Sequence, residues 1–427
     1  MAGSKGDYKL IKADRLIDGT GNPTLKQAAI LINGDTIEAI GPSDIVVAPE
    51  SVEAEVVNYG DKTILPGLVD CHVHLIGIAD GRLGDDLAPI PDEILTIQAA
   101  HNAEKHLRTG VTTVRDCGAK NMTTFMLRKA VVMGLAHAPR LILSGRPISI
   151  VGGHMGYFGT EVTGINSCRA AVRQLIKEGA DFIKVTATGG STRTSDPLKP
   201  SFKPDELKAI CEESHNTGKH VAAHCASTQG MLNAIEAGVD TIIHAYHREA
   251  DGTQKYRPDV IEKIVRNQIY VNPTLHQTMG PMKELEERAM TRNLTKEEQQ
   301  RLDKFKHEND TTLEHVSKMI RDGVRMVCGS DSAWRSYAMG NFQKEVEEHV
   351  KAGASPINSI VSATRDSARS CWVDNEVGTL ETGKKADILI VEEDPSKNIS
   401  ALSKVAAVFL KGSSVLANKP NPTYPKT

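Results

Sequence analysis

The sequence predicts an α/β protein, a TIM-like (β/α)8 barrel carrying a small discontinuous β-sandwich domain built from both termini. Three observations lead there. Through the middle of the chain, short apolar runs of β type alternate with segments of helical spacing, the pattern a parallel barrel requires. Both ends instead show short strands punctuated by turns. The chain is 427 residues long, more than the roughly 250 of a barrel, which leaves room for an accessory domain.

At the N-terminal end, β-type runs cover Tyr8 to Ala13, Ala28 to Ile32, Thr36 to Ile40 and Glu53 to Asn58, with Asn33-Gly34-Asp35 as a hairpin signal. The same texture returns where Gly378 to Asp387 leads into Ile388 to Val391, then Val405 to Leu410 and a Lys411-Gly412 turn. Residues 1–64 and 376–427 are therefore read as one composite β domain around a barrel of residues 65–375.

Eight runs read as buried parallel strands: Gly67–His74, Val111–Asp116, Leu141–Ser144, Phe182–Thr186, His220–His224, Thr241–His244, Tyr270–Pro273 and Arg325–Ser330. Segments such as Ser167–Lys177, Pro204–Asn216, Gln229–Glu236 and Pro258–Arg266 carry apolar residues at helical spacing between them. The stretch from His276 to Ile320 is rich in Glu, Lys, Arg and Gln and predicts a solvent-facing helical insertion, a candidate lid.

Composition narrows the function classes. A net charge of −3 with 25% charged residues gives no basic excess for nucleic acid or an anionic membrane surface. No run approaches the roughly 18 apolar residues of a membrane span, and the first residues lack the apolar core of a secretory signal. Seven cysteines without paired spacing read as reduced thiols, so a cytoplasmic protein acting on a small molecule is expected.

Parallel barrels gather catalytic residues at the C-terminal ends of their strands. Strand one ends in His72-Val73-His74, and a period of two puts both imidazoles on one side, able to chelate one metal. Lys184 lies in strand four, His224 and His244 end strands five and six, and Asp331 follows strand eight. A lone histidine at a strand end is most often structural; convergence of four with a lysine and an aspartate favours catalytic metal ligation. Imidazole and carboxylate suit zinc, manganese or cobalt, and no Cys-x-x-Cys indicates a structural zinc site.

The run Leu65-Pro66-Gly67-Leu68-Val69-Asp70-Cys71-His72-Val73-His74 resembles the signature of the metal-dependent amidohydrolase superfamily. Gly152-Gly153-His154 and Lys184-Val185-Thr186-Ala187-Thr188-Gly189-Gly190 make it most similar to the group of imidazolonepropionase-like proteins, Xaa-Pro dipeptidases, metal-dependent carboxypeptidases and the ochratoxin-hydrolysing amidase. The resemblance implies two divalent cations, zinc first among them. His72, His74 and Asp331 would hold the more buried one, His224 and His244 the more exposed one, and a carbamylated Lys184 would bridge them. Asp331 would also move the proton, with a metal-bridging hydroxide as nucleophile, and His154 would polarise the substrate carbonyl. A lysine turned away from a single metal, and a plain loop histidine at 154, are the alternatives.

Tyr246, Arg193 and Arg248 are candidate substrate contacts, the arginines as forks for a carboxylate, and Gly189 and Gly190 would let backbone N–H groups approach the ligand. Cys225 and Cys328 read as packing residues. The implied reaction is hydrolysis of an amide or peptide bond, of dipeptidase or carboxypeptidase type. N-acyl aromatic amino acids, ochratoxin-like amides or other xenobiotic amides and carbamates form the alternative substrate class. A single-metal deaminase is disfavoured by Lys184 and by Cys225-Ala226-Ser227 after His224, and a non-catalytic scaffold by the full ligand set. A homo-oligomer is expected from the resemblance.

Overall fold

The computed structural model describes residues 8–334 and 337–415; the outer parts of the composite-domain reading, 1–7 and 416–427, lie outside them. The N-terminal part forms β1 (Tyr8–Leu16), β2 (Leu25–Asn33), β3 (Thr36–Pro42), β4 (Glu55–Asn58) and β5 (Thr63–Pro66). Gly34, at φ +58°, makes the two-residue loop between the paired Asn33 and Thr36.

Two parallel sheets follow. The first contains β6 (Leu68–Val73), β7 (Val111–Asp116) and β8 (Arg140–Leu143). After the short pair β9 (Ser149–Ile150) and β10 (Glu161–Val162), the second contains β11 (Ile183–Thr186), β12 (Val221–Cys225), β13 (Thr241–His244), β14 (Tyr270–Asn272) and β15 (Arg325–Met326). Single parallel bridges join them at both seams, Ile148 to Val185 on one side and Val73 to Ser332 on the other. The eighth strand is shorter than the expected Arg325–Ser330. Beyond β15 the backbone turns towards β6: Cys328 O accepts from Cys71 N at 3.0 Å, and Asp331 N donates to His72 O at 2.7 Å.

The C-terminal strands β16 (Ile388–Val391), β17 (Val405–Leu410) and β18 (Ser413–Ser414) return to the N-terminal ones, giving an eight-stranded sheet of order β18-β17-β16-β5-β1-β2-β3, with β4 on β1. Ile11, Ile30 and Ile37 share a core with Ile388, Ile390 and Phe409. Leu65, Leu389 and Val408 point the other way, into the core beneath the first parallel strands. The sheet from both ends is thus fused to the α/β body by buried apolar side chains, each worth about 1.5–3 kcal/mol when fully buried.

Helices fill the connections where helical spacing predicts them, Ile165–Glu178, Pro204–Asn216, Thr228–Ala237 and Pro258–Arg266 among them. The charged stretch after β14 folds as Leu275–Thr278, Gly280–Thr291 and the 26-residue Lys296–Arg321. Thr295 starts the long helix with a capping box: its side chain accepts from Glu298 N, and Thr295 N donates to the Glu298 carboxylate. Leu302 packs with Met279, Met282 and Leu285, so the insertion has a small core of its own.

Candidate metal centre

His72 is the penultimate residue of β6 and His74 follows its end, so both rings lie on one side of the strand and point at the segment after β15. His72 Nε2 and His74 Nε2 each stand 3.3 Å from Asp331 Oδ1. The remaining ring nitrogens are committed elsewhere. His72 Nδ1 lies 3.1 Å from Asn272 Oδ1, and Asn272 Nδ2 donates to Gly329 O at 3.0 Å, which fixes the amide. His74 Nδ1 lies 2.9 Å from Gly118 O. Both Nδ1 atoms therefore carry the proton, and both Nε2 lone pairs face the Asp331 carboxylate.

This donor set fits a divalent cation. His72 Nε2 is buried with no hydrogen-bond partner, an arrangement that costs about 1–3 kcal/mol unless something accepts the lone pair. The three donor atoms all lie within 4.8 Å of one another. Burial opposes ionisation of Asp331, but the neighbouring His74, His244 and Lys184 hold its carboxyl below the usual range.

A second group of side chains adjoins the first. His224 donates Nε2–H to Gly189 O at 3.0 Å, leaving Nδ1 as its lone-pair nitrogen. His244 Nδ1 lies 2.7 Å from Thr274 Oγ1, whose own proton goes to Pro273 O. The His224 and His244 ring centres are 4.6 Å apart, and those of His72 and His244 5.7 Å. Lys184, in β11, is completely buried in the wall between them, and burial pushes its amine below the ordinary lysine range. Among the described residues no carboxylate comes within 4 Å of its Nζ. His244 (φ +71°), Ala245 (φ +52°) and Asp331 (φ +54°) all hold left-handed backbone, a strain that tends to concentrate at functional sites.

A cavity of about 430 Å³ opens over these groups. His154 lines it, its ring centre 4.5 Å from that of His224 and its Nδ1 2.9 Å from Thr192 Oγ1; burial lowers it to about 3, so the ring is neutral. Tyr246 stacks on His244 at 5.3 Å, and Arg248 lies 4.9 Å over the Tyr246 ring with no carboxylate paired to it among the described residues. The helical insertion supplies one wall through Phe305, Glu308, Asn309 and Thr312.

Two expectations are corrected. Arg193 does not line the cavity: its side chain is more than half exposed and pairs with Asp86 at 2.8 Å, while its backbone N donates to Asp85. Gly190 lines the cavity, but the backbone N–H groups of Gly189 and Gly190 donate to Lys199 O and Ser195 Oγ, not into it. These glycines are required by close packing: a Cβ would meet the Asp196 backbone at 2.2 Å from position 189, and the His154 ring at 2.6 Å from position 190.

Sequence reasoning missed Asn272 and Thr274, which orient His72 and His244. They sit at the end of the seventh strand, where inspection of strand ends would have found them. It also missed Trp334, 4.9 Å from the His74 ring, and Asp70, which accepts from His72 N, Ser330 N, Ser330 Oγ and His106 Nε2.

The chain belongs to the amidohydrolase family, whose model matches residues 63–415. The ochratoxinase of Aspergillus niger is 26% identical over 428 aligned residues, covering 93% of this chain and 84% of the relative. The imidazolonepropionase of Symbiobacterium thermophilum is 22% identical over 425 residues, covering 90% and 91%. Among solved structures, a Xaa-Pro dipeptidase with methionine in its active site superposes with a TM-score of 0.81 at 28% identity, covering 96% of this chain and 99% of that one. The protein is an enzyme of this family, a hydrolase of mixed α/β architecture. No helix among its described residues is long and apolar enough to cross a membrane.

Proposed function

We propose that the enzyme is a binuclear metal-dependent hydrolase of an amide or peptide bond that releases an amino acid, as a dipeptidase or carboxypeptidase does. The observation that carries this reading is the convergence of two preset Nε2 lone pairs and the Asp331 carboxylate beside a buried lysine that has no carboxylate within 4 Å among the described residues. His72, His74 and Asp331 would hold one cation and His224 and His244 the other, with zinc as the metal and Lys184, carbamylated, as a further ligand. A buried ammonium facing two cations is untenable, whereas a carbamate supplies negative charge there.

Cations bound there would supply Lewis acidity, lowering the pKa of a water and polarising the scissile carbonyl. Asp331 takes the proton released by the attacking water and hands it to the leaving nitrogen, since its carboxylate borders both metal-binding groups. His154, neutral and fixed beside His224, donates a hydrogen bond to the carbonyl oxygen as negative charge develops there. Arg248 and Tyr246 receive the carboxylate of the departing amino acid. The helical insertion limits access of bulk water.

The methionine held by the 28%-identical dipeptidase supports an amino acid product. A second reading, hydrolysis of N-acyl aromatic amino acids, is favoured by the aromatic side chains Tyr157, Phe305 and Trp334 in the cavity wall and by the ochratoxinase relationship.

The seam bridges support a closed (β/α)8 barrel of residues 65–375, and the core shared by β1, β2, β16 and β17 supports a composite sandwich of 1–64 and 376–427. All seven cysteines are free and buried, in keeping with a cytoplasmic enzyme. A homo-oligomer is part of the proposal and is checked by light scattering.

The test is a hydrolysis panel of Xaa-Pro dipeptides, N-acyl amino acids and neutral amides with metal-loaded enzyme, together with metal counting. We expect two metals per chain and release of a free amino acid. Turnover of neutral amides alone would overturn the peptidase reading, and less than one metal per chain without hydrolysis would overturn the metal mechanism.

A further inference from the structure

A second cavity, of about 510 Å³, lies where Tyr270 and Arg325 begin β14 and β15, at the opposite ends of these strands from Asn272 and Asp331. None of the residues assigned to the metal centre lines it. Its lining is positively charged: Arg325, Arg365 and Arg369 stand against one carboxylate, Asp366. That carboxylate is already shared, with Arg365 Nε at 2.8 Å and Arg369 Nη1 at 3.6 Å. Arg369 also reaches Asp374 at 3.8 Å, and Arg365 donates a further hydrogen bond to Thr20 O.

Arg325 is different. Its guanidinium lies 5.6 Å over the Tyr270 ring and makes no ion pair among the described residues. Burial raises the Tyr270 phenol, Arg325 and Arg369 pull it down and Asp366 pushes it up, so three charged groups gather about one hydroxyl.

A second, independent feature points into the same cavity. Ser359 lines it, is completely buried, and its Oγ has no hydrogen-bond partner among the described residues. The neighbouring Ser362 differs in that its Oγ donates to Met326 O. A buried hydroxyl left unpaired costs about 1–3 kcal/mol, which an acceptor in the cavity would recover. Between Ser359 and Arg369 the chain widens into a π-helical segment, Ser362–Asp366, a local geometry frequent at functional sites.

We propose that this cavity is a binding site for a small phosphorylated molecule, with the tetrahedral oxyanion held by the Arg325 guanidinium, which has no carboxylate partner among the described residues, the Ser359 hydroxyl and Arg369. Guanidinium groups suit a phosphate because several planar N–H donors can meet several oxygens at once. The volume exceeds that of a phosphate group alone, and the apolar wall of Ile320, Val324 and Met326 leaves space for a compact organic part. Phosphate monoesters and free inorganic phosphate share the oxyanion chemistry.

The test is calorimetric binding of inorganic phosphate and of phenyl phosphate to the metal-loaded full-length enzyme and, separately, to the chelator-treated enzyme. Wild type, Arg325→Gln and Ser359→Ala are compared. We expect one saturable site per chain that survives chelation, weakened about tenfold or more by Arg325→Gln, with kcat and KM for hydrolysis unchanged by that substitution. Tighter binding of phenyl phosphate than of inorganic phosphate identifies a monoester as the ligand; equal binding identifies free phosphate. Absence of saturable binding, binding lost on chelation, or binding indifferent to both substitutions would overturn the proposal.

Discussion

Substituting Asp70 with Asn leaves shape and volume intact and changes only what one oxygen can do. Asp70 Oδ1 accepts from His72 N at 3.1 Å and Ser330 N at 2.9 Å, and an asparagine oxygen can keep both bonds. Oδ2 accepts from His106 Nε2 at 2.9 Å and Ser330 Oγ at 2.5 Å, and there the new amide presents N–H groups instead. The Ser330 hydroxyl can rotate and accept. His106 cannot follow: Gly340 N donates to its Nδ1 at 3.0 Å, so the ring proton is on Nε2 and faces the new amide proton.

The loss is one charge-assisted bond inside the protein, about 1.5–3 kcal/mol, plus part of a second, so D70N should destabilise the metal-free protein by about 2–4 kcal/mol. Because Asp70 ties the backbone of His72 to Ser330, next to Asp331, the metal ligands loosen together, and metal affinity should fall about tenfold to a hundredfold. Urea titration of the metal-free protein reads the first effect and chelator competition the second. A D70N variant with wild-type values in both would refute the reasoning, since it would mean that His106 turns without cost.

Gly190→Ala sets a methyl group 2.6 Å from the His154 ring, so the imidazole must yield. Steady-state kinetics should show kcat/KM down by about tenfold to a hundredfold with melting nearly unchanged, and an unaltered kcat/KM would remove His154 from the reaction. Lys184→Met should lower bound metal from two per chain to at most one by mass spectrometry while raising the melting temperature of the chelated protein, because it removes a buried amine with no carboxylate within 4 Å among the described residues. Retention of two metals would refute the bridging role. Acid sensitivity has a separate origin in His247, lowered to about 3 by burial and by His315 and Arg257. The unfolded chain takes up that proton near pH 6.5 while the folded one resists it, so stability is complete above about pH 6.5 and falls by up to about 1.4 kcal/mol per pH unit on descent towards pH 3. Denaturation at several pH values should show a shallower decline for His247→Phe, and equal slopes would exclude this histidine as the source.

Much of the scaffold was legible because it depends on local periodicity. β7 and β13 match their predicted bounds, and seven of the eight predicted strands end within one residue of the observed ones, with Thr241–His244 among the exact matches. The eighth strand misled because Val327, Cys328, Gly329 and Ser330 are apolar or small, as strand residues are, yet their bonds are split between two neighbours: Val327 N donates to Val271 O of β14, whereas Cys328 O accepts from Cys71 N and Ser330 N donates to the Asp70 carboxylate across the seam on β6. His72, His74 and Asp331 were readable from residue type at strand ends. Arg193 was not: whether a loop arginine faces a cavity or a surface carboxylate depends on where Asp86 falls, more than a hundred residues away. Asp70 lay in plain sight within the signature run, but its role needs the helix that presents His106, and no spacing rule connects the two.

β5 runs into β6 with only Gly67 between them, yet it pairs Ile64 with Ile390. On the ribosome this has a cost in time. At about 5–20 residues per second, roughly 15–60 s separate the emergence of one partner from that of the other. Throughout that interval the nascent chain carries an open strand edge, and for most of it, until Asp331 emerges, that edge lies beside a histidine pair without its aspartate. Prematurely terminated chains would therefore yield no partly active enzyme, only a sticky β-edge, and a chaperone that covers residues 63–74 until translation is nearly complete would set the yield of functional protein.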